Sequence, residues 1–209
     1  MFPEITREDV FRIETRRLWL RWPERADIRA LAPDPDRPPP PEAAAGDPYR
    51  DPATLAAWRE RNETGAELNL LMTGRGTDRH VRGAIGLTPV RGHAEACGLR
   101  LSLWLEEEAR GDGLATEAVQ AMVDAAFMLT GTPLVSASAR VLDPCFRRVL
   151  EKCGFGSCGT GLDPAADGRG LTASDRFRLD RKAWTSLKTW RVPGLVRGRG
   201  EAACRPCLV

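Results

Sequence analysis

The stretch LEEEARGDGLATEAVQAMVDAAFMLTG, Leu105 to Gly131, decides the fold. Two glycines, Gly111 and Gly113, flank Asp112 where acidic sequence gives way to an almost wholly apolar segment. Leu114, Ala118, Val119, Met122, Ala126 and Leu129 cover more than one helical stripe, so this helix should be buried on most of its sides. Gly131 and Pro133 are placed to stop it. Just before it, GLRLSLWLE alternates Leu99, Leu101, Leu103 and Leu105 with Arg100, Ser102 and Trp104, the period of a strand with one face buried.

A helix N-terminus leaves backbone N–H groups unpaired and carries partial positive charge, so it attracts anions where nothing bulky blocks the approach. The segment Arg110, Gly111, Asp112, Gly113, Leu114, Ala115 and Thr116 stands at such a turn, directly after a strand, where it would cradle a pyrophosphate. Two other phosphate-loop types do not fit, because no Gly-Lys-Ser/Thr ending and no third glycine at dinucleotide spacing are present. Asp112 points the other way: its carboxylate suits the same amides and repels an anion, which Arg110 offsets in part. On residue types alone, turn chemistry and anion binding both stay open.

Working outward, PLVSASARVL is a strand with Val135, Ala137, Ala139 and Val141 on one side. DPCFRRVLEKCGF is a helix with Asp143 as cap, Pro144 at the first position and Gly154 beyond its end, and Phe146, Val149, Leu150 and Cys153 form its apolar stripe. The strand–helix–strand unit, residues 98 to 142, predicts a right-handed parallel crossover. Upstream, TRRLWLRW reads as a strand and ERADIRAL as a short helix. Residues 32 to 52, rich in proline, read as a long surface loop. DPATLAAWRERNETG is a helix with Leu55 and Trp58 inward, started by Asp51 and Pro52 and ended by Gly65. ELNLLMTG and VRGAIGLTPV predict a hairpin. Downstream, a glycine-rich loop over 156 to 171 is expected between a short strand and a last strand at DRFRLDRKAW. This order points to an α/β (α+β) architecture around a mixed sheet.

With 209 residues, 42% hydrophobic and 29% charged, the chain can bury one substantial core. A formal charge of +2 leaves the two signs nearly balanced, so no field argues for nucleic acid or membrane. No segment approaches the roughly 18 unbroken apolar residues of a spanning helix, and the first residues lack a signal-peptide core, so a cytoplasmic protein is expected. The six cysteines are scattered, unlike a secreted disulfide framework. Cys204 and Cys207 have metal spacing but no second pair, so no metal is expected.

The block ARGDGLATEAV, followed by DPCFRRVLEKCGF and preceded by ETRRLWLR, resembles the GNAT superfamily of acetyl-CoA-dependent N-acetyltransferases. The likeness is to the ribosomal-protein alanine N-acetyltransferase branch and runs from about Glu14 to Trp184. It implies a mixed sheet of about six to seven strands flanked by about four helices, with a splayed parallel pair holding acetyl-CoA. Domain bounds follow as an extension over 1–13, the acetyltransferase domain over 14–184 and a mobile basic tail over 185–209.

By that resemblance, the backbone amides of Arg110 to Thr116 hold the coenzyme A pyrophosphate, and the pantetheine arm lies along the strand at Leu103, Trp104 and Leu105. The implied reaction is direct attack by a primary amine, a protein N-terminal α-amine or a small-molecule amine, on the thioester. A strand amide near Leu103 or Trp104 would serve the oxyanion, and His93 or Glu95 would act as base. Asp143 has two roles open, helix cap or orienting the amine. Relatives tend to carry N-x-x-S where this chain has Asp143 and Phe146, and Phe146 cannot donate a proton. A catalytically degenerate acyl-CoA-binding protein is therefore the alternative reading. Members of the branch are monomers or homodimers.

Overall fold

The computed structural model describes residues 12–30, 52–76, 80–90, 98–164 and 170–191. Its elements are β1 (Arg12–Glu14), β2 (Leu18–Arg21), α1 (Arg25–Ala30), α2 (Pro52–Glu63), β3 (Leu68–Gly74), β4 (Val81–Val90), β5 (Gly98–Leu105), α3 (Leu114–Leu129), β6 (Leu134–Arg140), α4 (Pro144–Lys152), β7 (Gly156–Pro164), β8 (Leu171–Asp180) and α5 (Arg181–Arg191). The eight strands form one sheet in the order β1-β2-β3-β4-β5-β6-β8-β7. All neighbours are antiparallel except β5 and β6, which are parallel and joined through α3, the mixed sheet expected of the 98–142 crossover.

The alternation read in β5 sets the core. Leu99 and Leu101 are buried on the face that α3 covers, where Leu114, Ala118, Val119, Met122, Val123, Ala126 and Phe127 meet Val135, Ala137 and Ala139 of β6. Leu150 and Cys153 of α4 complete that layer, and Phe146 and Val149 pack half-buried against it. The opposite face has a smaller core, in which Leu55 and Trp58 of α2 pack with Leu71, Ala84 and Trp104. Trp104 thus serves the second layer, not the one under α3.

Several expectations need correction. Leu129, in the last turn of α3, is 42% exposed. That helix does end just before Gly131 and Pro133, with Thr130 as its cap, whose hydroxyl donates to the Ala126 carbonyl at 2.6 Å. Arg181 finishes the cap by donating to the carbonyls of Phe127 and Thr130, both at 2.7 Å. Residues from 156, expected as loop, form β7, because pairing with β8 runs from Gly156 to Pro164 and overrides the glycine content. Gly159, at φ +117°, takes up an irregularity in that pairing. A Cβ at Gly161 would come within 2.6 Å of the Arg176 guanidinium, the movable end of an exposed side chain.

The last strand stops at Asp180, whose carboxylate accepts the Ala183 N–H at 2.8 Å and starts α5. Residues 185–191, read as part of the basic tail, therefore continue a packed helix. Asp124 of α3 accepts from Trp184 Nε1 at 2.8 Å and Lys188 Nζ at 2.6 Å, and the Trp184 ring lies 5.2 Å from that of Phe127. Eight strands and five α-helices thus stand, among the described residues, against the six to seven and four expected. The proline-rich loop and Cys204 and Cys207 lie outside the described residues.

β4 and β5 approach very closely at one point. A Cβ on Gly83 would sit 2.4 Å from the Trp104 carbonyl oxygen. Gly83→Ala should therefore cost about 1–3 kcal/mol as the strands part. Denaturant unfolding reads this as a lower midpoint with an unchanged slope.

Candidate active site

The two central strands are held mainly by their outer neighbours. β5 pairs with β4 from Gly98 to Leu105 and β6 pairs with β8 from Leu134 to Arg140, yet they pair with each other only at Leu99–Leu101 and Val135–Ala137. Beyond Leu101 they separate, and the edge of β5 over Leu103, Trp104 and Leu105 loses its β6 partner. Such an edge offers backbone donors and acceptors to an extended ligand. One of these groups is engaged: the Leu105 carbonyl accepts from Arg110 Nε at 3.3 Å and Nη2 at 3.2 Å. Arg110 thereby folds back over the end of the cleft and stays exposed.

A 3-10 turn at Glu107–Ala109 leads from β5 to the glycines. Gly111 and Gly113 adopt φ +91° and +76°, left-handed values that suit glycine. A Cβ at Gly111 would meet nothing within 4 Å, and one at Gly113 only Arg17 Nη2 at 3.6 Å. Backbone shape, not crowding by any described residue, calls for glycine here. The first intrahelical bond of α3 is from Glu117 N to the Gly113 carbonyl at 3.2 Å. The N–H groups of Leu114, Ala115 and Thr116 therefore lack helical acceptors. Asp112 does not cap them: among the described residues it contributes only its carbonyl, which accepts from Arg17 Nη1 at 2.7 Å.

That bond belongs to a clamp which residue-by-residue reading missed. Glu117, in the first turn of α3, accepts from the Thr15 hydroxyl at 2.7 Å, the Arg17 backbone N–H at 2.7 Å and Arg17 Nε at 2.8 Å. Burial works to raise the Glu117 pKa, but these hydrogen bonds and the Arg17 charge outweigh it and hold the carboxyl below its ordinary 4.5. The blocks ETRRLWLR and ATEA thus meet in space across roughly a hundred residues. An acid in the first turn of an apolar helix, favoured by the helix dipole, was the available signal. The same turn is tied to α4, since Cys153 Sγ donates to the Thr116 carbonyl at 3.7 Å.

Asp143 caps α4, its Oδ1 accepting the Phe146 N–H at 3.0 Å, which is the first of its two open roles. Phe146 is half-buried against the core, in keeping with its place on the apolar stripe. His93 and Glu95 lie outside the described residues. Among the described residues no group of three or more His, Cys, Asp or Glu could hold a metal, and no helix is long and apolar enough to cross a membrane.

A sheet that parts between two parallel strands, beside a helix start whose amides lack helical acceptors, offers backbone groups to an extended, anionic ligand. The chain belongs to the GNAT acetyltransferases, since the model of the acetyltransferase (GNAT) domain matches residues 17–156. No curated protein matches it. Among solved structures, it is similar to the ribosomal-protein-S5-alanine acetyltransferase of Vibrio fischeri, at 15% identity, TM-score 0.62 and coverage of 83% of this chain and 98% of that one. A GNAT-family acetyltransferase from Bacillus anthracis gives 17% identity, TM-score 0.59 and coverage of 82% and 99%. Spermidine N-acetyltransferase from Vibrio cholerae, in complex with CoA and spermine, gives 16%, 0.59, 80% and 98%. At these identities the structures speak for the fold.

Because the Glu117 carboxyl is held below its ordinary value, its contribution to stability is complete above pH 4.5 and fades as pH falls through the folded-state pKa. Glu117→Gln should cost about 1–3 kcal/mol at pH 7, with the gap to wild type narrowing on acidification below that value. Unfolding curves measured from pH 7 to pH 3.5 check the sign.

Proposed function

We propose that the protein transfers an acetyl group from acetyl-CoA to a primary amine, a protein N-terminal α-amine or a small-molecule amine, by direct attack. One observation carries the reading: the β5 edge beyond Leu101, which β6 no longer pairs, and the first-turn N–H groups of α3, which lack helical acceptors, lie at the two ends of one strand-to-helix connection. They suit the two halves of coenzyme A, an extended amide-bearing arm and a pyrophosphate. The donor set fits the group, with glycines that leave the approach open and Arg110 beside it as counter-charge.

Bound there, acetyl-CoA supplies an activated thioester. In this reading the amides of Gly111, Gly113, Leu114, Ala115 and Thr116 receive phosphate oxygens, and Arg110 adds charge at the mouth of the cleft. A β5 amide near Leu103 or Trp104 receives the negative charge that develops on the acetyl oxygen. The amine nitrogen bonds to the acetyl carbon as the carbon–sulfur bond breaks, and the proton lost by the amine balances the thiolate. His93 or Glu95 takes that proton, and solvent protonates sulfur, because Phe146 stands where relatives carry a serine. Phe146 also favours a second reading, coenzyme A binding without turnover.

Calorimetric titration of acetyl-CoA is the test, with Gly113→Trp as the blocked loop. Wild-type binding lost in the variant supports phosphate access at the glycines, and absence of wild-type binding removes the reading. Thiol release with a panel of amines then separates a transferase from a binding protein.

If Phe146 only packs, Phe146→Ser lowers stability by about 2–4 kcal/mol and leaves the rate of transfer per folded molecule unchanged. A rate loss of tenfold or more with the fold intact would give Phe146 a part in the reaction.

A further inference from the structure

The face of the sheet turned away from α3, α4 and α5 carries a row of arginines. Leu99 and Leu101, Val135, Ala137 and Ala139, and Phe177 and Leu179 belong to the core beneath those helices, so the alternate residues of β5, β6 and β8 project on the other side. There the register sets Arg100 beside Ser136, Ser136 opposite Arg178 and Ser138 opposite Arg176, with Arg140 at the end of β6. All four arginines are exposed. Among the described residues, the one carboxylate that reaches them is Asp163, 3.5 Å from Arg176, while Arg100, Arg140 and Arg178 pair with none. On this side α2 packs over β3, and its small core stops at Trp104 of β5.

Position gives the patch its meaning. Arg100 and Ser136 are one step before the point where β5 and β6 part, so the arginines border the base of the cleft. With α3 and α4 packed on the other face, this is the side that, among the described residues, is left for an acceptor to reach a thioester held in the cleft. Several guanidinium groups without carboxylate partners attract anions with charge-assisted hydrogen bonds and repel a second cation.

We infer that this face selects the acceptor, and that the acceptor is the amine of an acidic peptide N-terminus, with aspartate or glutamate close behind the α-amine, and not a polyamine. The inference rests on the transferase reading above. An amine is protonated when it arrives, so a polyamine would bring several positive charges against Arg100, Arg140 and Arg178. An acidic peptide brings one, with carboxylates to pair.

Acetyl-CoA-dependent thiol release is measured with peptides of equal length that are acidic, neutral or lysine-rich behind the first residue, and with spermidine. The same peptides, fluorescently labelled, are titrated in the presence of coenzyme A. The acidic peptide should show about tenfold higher kcat/KM than the neutral one, a preference that shrinks with added salt. Arg100→Gln and Arg178→Gln should each remove about fivefold of it, with acetyl-CoA affinity and melting temperature unchanged. Equal rates across the panel, a preference for spermidine or lysine-rich peptides, or an acidic preference that survives unchanged in both arginine variants would overturn the inference. If acetyl-CoA binds but no amine is acetylated, the transferase reading fails by itself. Acidic-peptide binding that still depends on Arg100 and Arg178 would then uphold recognition by this face, and its absence would sink both.

Discussion

The site depends on a single shortfall in pairing. β5 shares eight register positions with β4 but only three with β6, and β6 follows β8 for seven. Each central strand is thus committed to the twist of its own half of the sheet, and the two halves part where their mutual pairing runs out. A fully paired sheet would satisfy the β5 edge internally and leave nothing for a ligand to bind. Because α3 begins at the same end of β5, the edge that β6 leaves and the helix start without helical acceptors fall side by side.

Open backbone of this kind must be held by something, and the holding comes from far away in the chain. Glu117 gathers Thr15 and Arg17 from the turn after β1, and Arg17 in turn grips the Asp112 carbonyl between the two left-handed glycines. The carboxylate that stabilises the helix start thus sits one turn inside it, leaving the end itself free. A side chain capping from the Gly113 position would have consumed the amides that the approach requires. At the other end of the helix, Arg181 takes the carbonyls of Phe127 and Thr130, so both ends of α3 are anchored by residues outside its own connection.

Much of this was legible because local period and burial agreed. The leucine alternation of β5, the apolar excess of α3, and Asp143 and Pro144 at the start of α4 each act within a few residues, and each fell where its pattern pointed. Errors arose where distant pairing overrode local composition. The glycines of β7 imitate a loop, yet β8 supplies a partner along its whole length. Residues 185–191 look like a basic chain end, yet Asp124 takes Trp184 and Lys188 from the same helix. The end of β5 and the glycine turn were readable for the first reason, and the contacts of Arg17 with Glu117 were not for the second.

By itself, then, the sequence determined the elements from β2 to α4, the parallel crossover and the glycine turn, since periodicity, caps and left-handed glycines are properties of short segments. Tertiary structure alone decided that β5 and β6 part after three pairs, that Asp112 leaves the helix start uncapped, and that four arginines share one face of the sheet. Those outcomes depend on which strands win the backbone hydrogen bonds and which charges meet across the sheet, and both are settled between segments remote in sequence.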